Sequence, residues 1–163
     1  MMDVVIIGGG ISGGSAALYT SHGNLKTTVI DAGHSQINKV STIFNYPGIH
    51  EISGEELIVT IEQQAREYGT EWVYDEVISV LREDDKFVTE TKNGHIYHSK
   101  YVIIATNLHV DLLSQLGTEL TVNEKVPSGK IKKVVHLKEN GETEIDNLFV
   151  TGLLAGIPSQ SVI

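Results

Sequence analysis

Val4-Val5-Ile6-Ile7-Gly8-Gly9-Gly10-Ile11-Ser12-Gly13 stands almost at the start of the chain, and the fold is decided there. Four β-branched residues in an unbroken run describe a buried strand, the glycines a tight turn, and Ser15-Ala16-Ala17-Leu18-Tyr19 the helix that follows. Gly8-x-Gly10-x-x-Gly13 between strand and helix is the dinucleotide fingerprint in its proper context. Gly8 permits the turn and Gly10 lets backbone approach a pyrophosphate. The free N–H groups of Ile11 and Ser12 attract its charge, and Ala17 lets helix and strand come close.

Outward from this motif, Thr27-Thr28-Val29-Ile30 forms a second buried strand, and two strands joined by a helix make a parallel crossover of the doubly wound kind. Asp31 ends that strand about 20 residues after the motif, where a carboxylate accepts hydrogen bonds from both hydroxyls of an adenosine ribose and repels a 2'-phosphate. Strand, spacing, helix and acid agree, which outweighs a Gly-rich turn and surface acid in an unrelated fold. FAD and NAD present the same adenosine and pyrophosphate, so these residues alone leave the choice between them open.

Residues 32–50 lack periodicity and carry Gly33, Asn38, Asn45, Pro47 and Gly48, a long loop of the functional sort. Ser53 and Glu56 form a capping box before an amphipathic helix built on Leu57, Ile58, Ile61, Ala65 and Tyr68 and ended by Gly69. The extended stretches 72–74, 77–81 and 87–91, the last running into Asn93-Gly94, predict an inserted antiparallel meander. Tyr101-Val102-Ile103-Ile104-Ala105 resumes the buried parallel pattern, with Thr106-Asn107 at its carboxyl end. Leu112, Leu113 and Leu116 have helical spacing. Residues 126–137 are interrupted by Pro127-Ser128-Gly129, Leu148-Phe149-Val150 is a further strand, and a helix opens at Ser159. The expected class is α/β: a Rossmann-like doubly wound parallel sheet with an inserted antiparallel β-meander, one domain over 1–163.

With 163 residues, 40% hydrophobic and 20% charged, the composition is that of a globular domain large enough to fold without staples. A net charge of -9 and the absence of a Lys or Arg stripe argue against nucleic acid. No cysteine is present, which excludes a dithiol, a thiolate nucleophile or an iron–sulfur cluster on this polypeptide. The apolar run at residues 4–7 is too short for a membrane span or a signal core, so a cytoplasmic protein is expected. Of the seven histidines, His95 and His98 are closest, with no further ligand at metal spacing, and no metal site is assigned. His34 is read as a backbone-bonded loop residue in preference to a proton donor, and Trp72 as core. No catalytic acid–base pair is assigned.

Asn45-Tyr46-Pro47-Gly48, Gln36, the helix capped by Ser53, Val77, Ile103-Ile104-Ala105-Thr106, the 143–152 segment and Ser159-Gln160-Ser161 together resemble the flavin domain of thioredoxin reductases, in the pyridine nucleotide-disulfide oxidoreductase superfamily. The resemblance runs over nearly the whole length. It implies FAD as cofactor, held by Gly8, Gly10, Ile11, Ser12, Gly13, Asp31, Ala32, Gly33, His34, Gln36, Asn45, Val77, Ala105, Thr106, Asn107, Gly152, Leu153, Ser159 and Gln160. In that family an NADPH domain with the redox dithiol follows the Ala-Thr-Gly strand. Here Leu112-Leu113-Ser114-Gln115-Leu116-Gly117 already resembles what comes after it, so segments 1–107 and 108–163 are joined directly.

Three departures stand out: Asn107 for the glycine of Ala-Thr-Gly, His34-Ser35 for Gly-Gly, and Leu153 for an aspartate that bonds the ribitol chain. The last removes a hydrogen bond to a charged acceptor, about 1.5–3 kcal/mol, or about one to two decades of FAD affinity. The family's final helix aims its N-terminus at the flavin and favours the reduced form; only its first turn, at Ser159 and Gln160, is encoded here.

The implied function is a single-domain flavoprotein oxidoreductase that exchanges electrons with a separate donor protein or diffusing NAD(P)H, with a homodimer as the expected assembly. The alternative is a redox-inert module that binds or senses FAD or another adenine nucleotide. A small NAD dehydrogenase is a third reading, disfavoured by the flavin-contact pattern at Asn45 and Gln160.

Overall fold

Alternation along the first strand places apolar residues on both faces of a sheet, which therefore needs two covering layers. The computed structural model describes residues 1–157 and shows both layers. Strand β1 (Met2–Ile7) leads into helix α1 (Ile11–His22) and returns as β2 (Thr27–Asp31), parallel to β1 with Val4 opposite Thr27 and Ile7 opposite Ile30. Helix α2 (Gly54–Glu67) begins with the expected reciprocal capping box between Ser53 and Glu56. Val4, Ile6 and Val29 pack with Ala17 of α1, Ala65 of α2 and Trp72 on one face. Val5, Ile7, Ile30, Val102, Ile104 and Leu148 face the other way into the larger core.

The remaining strands are β3 (Glu71–Tyr74), β4 (Val77–Glu83), β5 (Lys86–Thr91), β6 (Ile96–Ile104), β7 (Leu120–Val122), β8 (Lys132–Val134) and β9 (Leu148–Val150), with a short helix α3 (Asp111–Gln115) after β6. The large sheet runs β3-β2-β1-β6-β5-β4, and β9 also pairs with β6. Trp72-Val73-Tyr74 is not part of the meander: it pairs parallel to β2 and forms the edge of the main sheet. The meander is β4-β5-β6, and its third strand is the central parallel strand itself. The first half of β6 pairs antiparallel with β5, while the second half pairs parallel with β1 and β9. Sequence periodicity could not show this, because the polar start of β6 (His98, Ser99, Lys100) hides its continuity with the apolar end.

Residues 126–137, read as one interrupted stretch, belong to a two-stranded β7–β8 hairpin whose connection holds Pro127-Ser128-Gly129. This hairpin and α3 cover the face opposite α1 and α2: Leu112, Leu113 and Val134 are buried in the larger core. The helix expected at Ser159, and with it Gln160, lies outside the described residues. Among the described residues no helix is long and apolar enough to cross a membrane.

Candidate nucleotide-binding site

Parallel strands of a doubly wound sheet deliver their carboxyl ends to one edge, and where neighbouring connections depart in opposite directions a crevice is left. That point lies between β1, whose connection leads to β2, and β6. A cavity of about 730 Å³ opens there, lined from the ends of β2, β1, β6 and β9 by Asp31, Gly8, Thr106 and Gly152. Three strand spacings give it a reach of about 14 Å, suited to an elongated ligand.

The turn is built as its motif requires. Gly8 has φ +101°, and a Cβ there would lie 2.6 Å from the Ala105 carbonyl oxygen, so only glycine lets β1 leave the sheet beside β6. A Cβ on Gly13 would collide with the Gly8 carbonyl oxygen, which fixes α1 against the turn. Helix α1 has no side-chain cap at Gly10 and no acidic residue in its first turn, so its leading N–H groups and positive dipole end face the cavity unneutralised. Gly9, not singled out from sequence, has the same importance: a Cβ there would strike the Trp72 ring and the Asp31 carboxylate. Its need arises from β3, more than sixty residues away, and only the glycine triplet hinted at it.

Asp31 is 6% exposed, and its Oδ1 accepts the Gly33 N–H at 3.1 Å. The Asp75 N–H donates to the Asp31 carbonyl at 3.1 Å, bringing the β3–β4 connection alongside. Asp75, Glu76, Val77 and Ile78 thereby join the lining, of which only Val77 was anticipated. Asp75 is buried, and its carboxyl is held below the usual range chiefly by the Thr91 hydroxyl, with the Glu76 N–H and His95 assisting against desolvation. The Glu76 carboxyl is lowered chiefly by its bond to Lys92, and His34 joins the same wall of the cavity.

The 3-10 turn Gln36–Lys39 brings Gln36 and Ile37 to the wall, and α2 seats it: a Cβ on Gly54 would collide with the Ile37 carbonyl oxygen, and the Gly54 N–H donates to the Val40 carbonyl at 2.9 Å. At the far end Asn107 takes φ +59°, the left-handed conformation that asparagine tolerates best after glycine, so replacing the glycine of Ala-Thr-Gly keeps the turn. The Thr106 hydroxyl donates to the His109 carbonyl at 2.6 Å and the His109 N–H returns to the Thr106 carbonyl at 3.1 Å, closing the link from β6 to α3. Gly152, φ +71°, abuts Ser12 of α1, and Leu153, 8% exposed, presents its side chain beside it.

Of the residues expected at the site, Gly8, Gly10, Ile11, Ser12, Asp31, Ala32, His34, Gln36, Val77, Ala105, Thr106, Asn107, Gly152 and Leu153 line this one cavity. Gly13 and Gly33 support it from behind, through the Gly8 contact and the Asp31 bond. Asn45 is exposed in the loop between the bridged residues Ile43 and Ile52 and is not in the lining. Ser159 and Gln160 lie outside the described residues. No group of three or more His, Asp or Glu side chains among the described residues could hold a metal.

This lining suits a dinucleotide. The cavity volume is within the roughly 300–1,000 Å³ of ligand pockets, with the Asp31 carboxylate at one end and the uncapped N-terminus of α1 in the middle. Residues 2–118 match the family described as pyridine nucleotide-disulphide oxidoreductase. A thioredoxin reductase of Listeria innocua is 34% identical over 119 residues, 72% of this chain and 37% of that protein. One from Bacillus subtilis is 38% identical over 106 residues, 63% of this chain and 33% of that protein. The crystal structure of thioredoxin reductase from Streptococcus pyogenes superposes with a TM-score of 0.62 at 36% identity, covering 66% of this chain and 35% of that one. The chain thus spans about a third of the length of these relatives, and the 143–152 segment lies beyond the span the family matches. Fingerprint, sheet order and a match over residues 2–118 converge: the chain belongs to the pyridine nucleotide-disulphide oxidoreductase family and has a thioredoxin reductase-like fold.

Proposed function

We propose that this chain binds FAD in the cavity, as one flavin-binding unit formed by segments 1–107 and 108–163, and acts as an oxidoreductase whose flavin exchanges electrons with a separate protein or with NAD(P)H. The observation that carries it is the joint presence, in one cavity, of buried Asp31, the uncapped start of α1 and the Thr106–Gly152 end opposite. Asp31 accepts the ribose hydroxyls, the N–H groups of Ile11 and Ser12 bind the pyrophosphate, Val77 meets the adenine, and Gln36, Thr106 and Gly152 stand along the ribityl and ring portion. Asn45, Ser159 and Gln160 are assigned to the flavin by resemblance alone. Bound FAD supplies reversible two-electron uptake at its ring, while the protein positions it and shapes its field. With no cysteine in the chain, electrons leave by a route other than an internal dithiol. A cytoplasmic homodimer is the proposed state.

Leu153 favours a second reading, a redox-inert FAD or adenine-nucleotide module, because hydrocarbon stands where the family bonds the ribitol. Anaerobic titration of the FAD-loaded protein with NADH, NADPH and a reduced carrier protein separates the two. Bleaching near ~450 nm supports the oxidoreductase. Failure of all three to bleach a tightly retained flavin supports the inert module.

A further inference from the structure

Four of the chain's 12 basic residues, Lys125, Lys130, Lys132 and Lys133, fall within the connection and second strand of the β7–β8 hairpin, where Glu124 is the lone acid. Lys133 pairs with Glu124 at 2.8 Å. Lys125, Lys130 and Lys132 are exposed and form no ion pair among the described residues, although the charge of Lys125 is a minor contribution to the lowering of the Glu124 carboxyl. Since the whole chain carries -9, the rest of its surface is more acidic still.

The hairpin is attached to the cavity. It contributes Val126 and Ile131 to the wall, the Asn123 amide donates to the Leu153 carbonyl at 3.4 Å, and a Cβ on Gly156 would touch the Lys133 stem at 3.1 Å. The unpaired lysines therefore flank the Leu153 end, while at the opposite end Asp31 and Asp75 leave an acidic surplus beside the Glu76–Lys92 pair.

We propose that this lysine hairpin is the docking surface for an acidic electron-carrier protein. The inference rests on the flavin reading of the cavity, in which the Leu153 end holds the redox-active ring. An acidic carrier is repelled by the remaining surface and steered to the hairpin, where its redox centre comes nearest the flavin. Two encounters oxidise two one-electron carriers, and the two electrons, with two protons from solvent, reduce one flavin.

Binding of a [2Fe–2S] ferredoxin, a [4Fe–4S] ferredoxin and a flavodoxin is measured by surface plasmon resonance at about 20 mM and about 0.3 M salt. The full chain is compared with the triple variants K125E/K130E/K132E and K125Q/K130Q/K132Q, whose folding is checked by circular dichroism. At least one carrier is expected to bind at low salt, with its association rate falling about tenfold or more on adding salt or reversing the charges, and less for the glutamine variant. Absence of binding by all three, or binding equal in native and charge-reversed chains, overturns the proposal. So does reduction by NADPH that the glutamate variant slows while no carrier binds, since the lysines would then serve a phosphate-bearing nucleotide. FAD retention by the native chain is read separately in its absorption spectrum. Its loss defeats the flavin reading and leaves the carrier-binding arm intact.

Discussion

At one end of the cavity Asp31 is 6% exposed, with the Gly33 N–H on its carboxylate and the β3–β4 connection bonded along its backbone. At the other, Leu153 is 8% exposed, and its wall is completed by Val126 and Ile131 from a lysine-bearing hairpin. The first end is held by the main sheet and by glycines that no larger residue can replace. The second is made from segments that follow the link at Asn107. Under the proposed FAD reading, the adenosine and pyrophosphate portions anchor the ligand, while the flavin portion is held less firmly and is open to a partner.

Breaking the anchored end has the largest effect. Gly13→Val drives a side chain into the Gly8 carbonyl and the Ala105 methyl. FAD retention is expected to be abolished, and the denaturant midpoint to fall by the equivalent of about 1–3 kcal/mol or more. Next, Asp31→Ala removes both ribose bonds and weakens FAD by about 3–4 kcal/mol, or about two to three decades, in equilibrium dialysis. Its circular dichroism is expected to stay native.

Sharpening the weaker end runs the other way. Leu153→Asp restores a charged acceptor and is expected to tighten FAD by about one to two decades, while the ligand-free protein melts earlier because an unpaired carboxylate is buried. Equal FAD affinity in the native and Leu153→Asp chains would show that the ribityl end contributes no less here than in the family.

The smallest effect concerns pH. The Asp75 carboxyl is lowered in the folded protein by the Thr91 hydroxyl and the Glu76 N–H. A depressed folded pKa means that stability is fully present above the unfolded value near 3.8 and is lost as pH falls through the lower folded value. Melting temperatures below pH 4 are therefore expected to drop more steeply for the native chain than for Asp75→Asn. Parallel acid limbs would remove Asp75 from that account.

Much of the anchored end was legible because its signals are local: a strand, three glycines, a helix and an acid at the right interval. Asn107 was legible as a departure, but its tolerance is explained only by its φ of +59°. What stayed hidden at both ends depends on distant partners. Gly9 is required by Trp72, a partner brought in by β3 pairing, and Val126 and Ile131 reach the cavity only because β7 and β8 fold back over the sheet. Trp72-Val73-Tyr74 looked like meander because a short strand carries no mark of which sheet edge it will join.

The most direct test loads the protein with FAD or with FMN, which lacks the adenosine half, and records the visible spectrum after desalting. Bands near ~450 nm are expected to be retained with FAD and lost with FMN, and excess ADP is expected to displace FAD. A colourless protein after FAD loading, or equal retention of FAD and FMN, would contradict an adenosine-anchored flavin site.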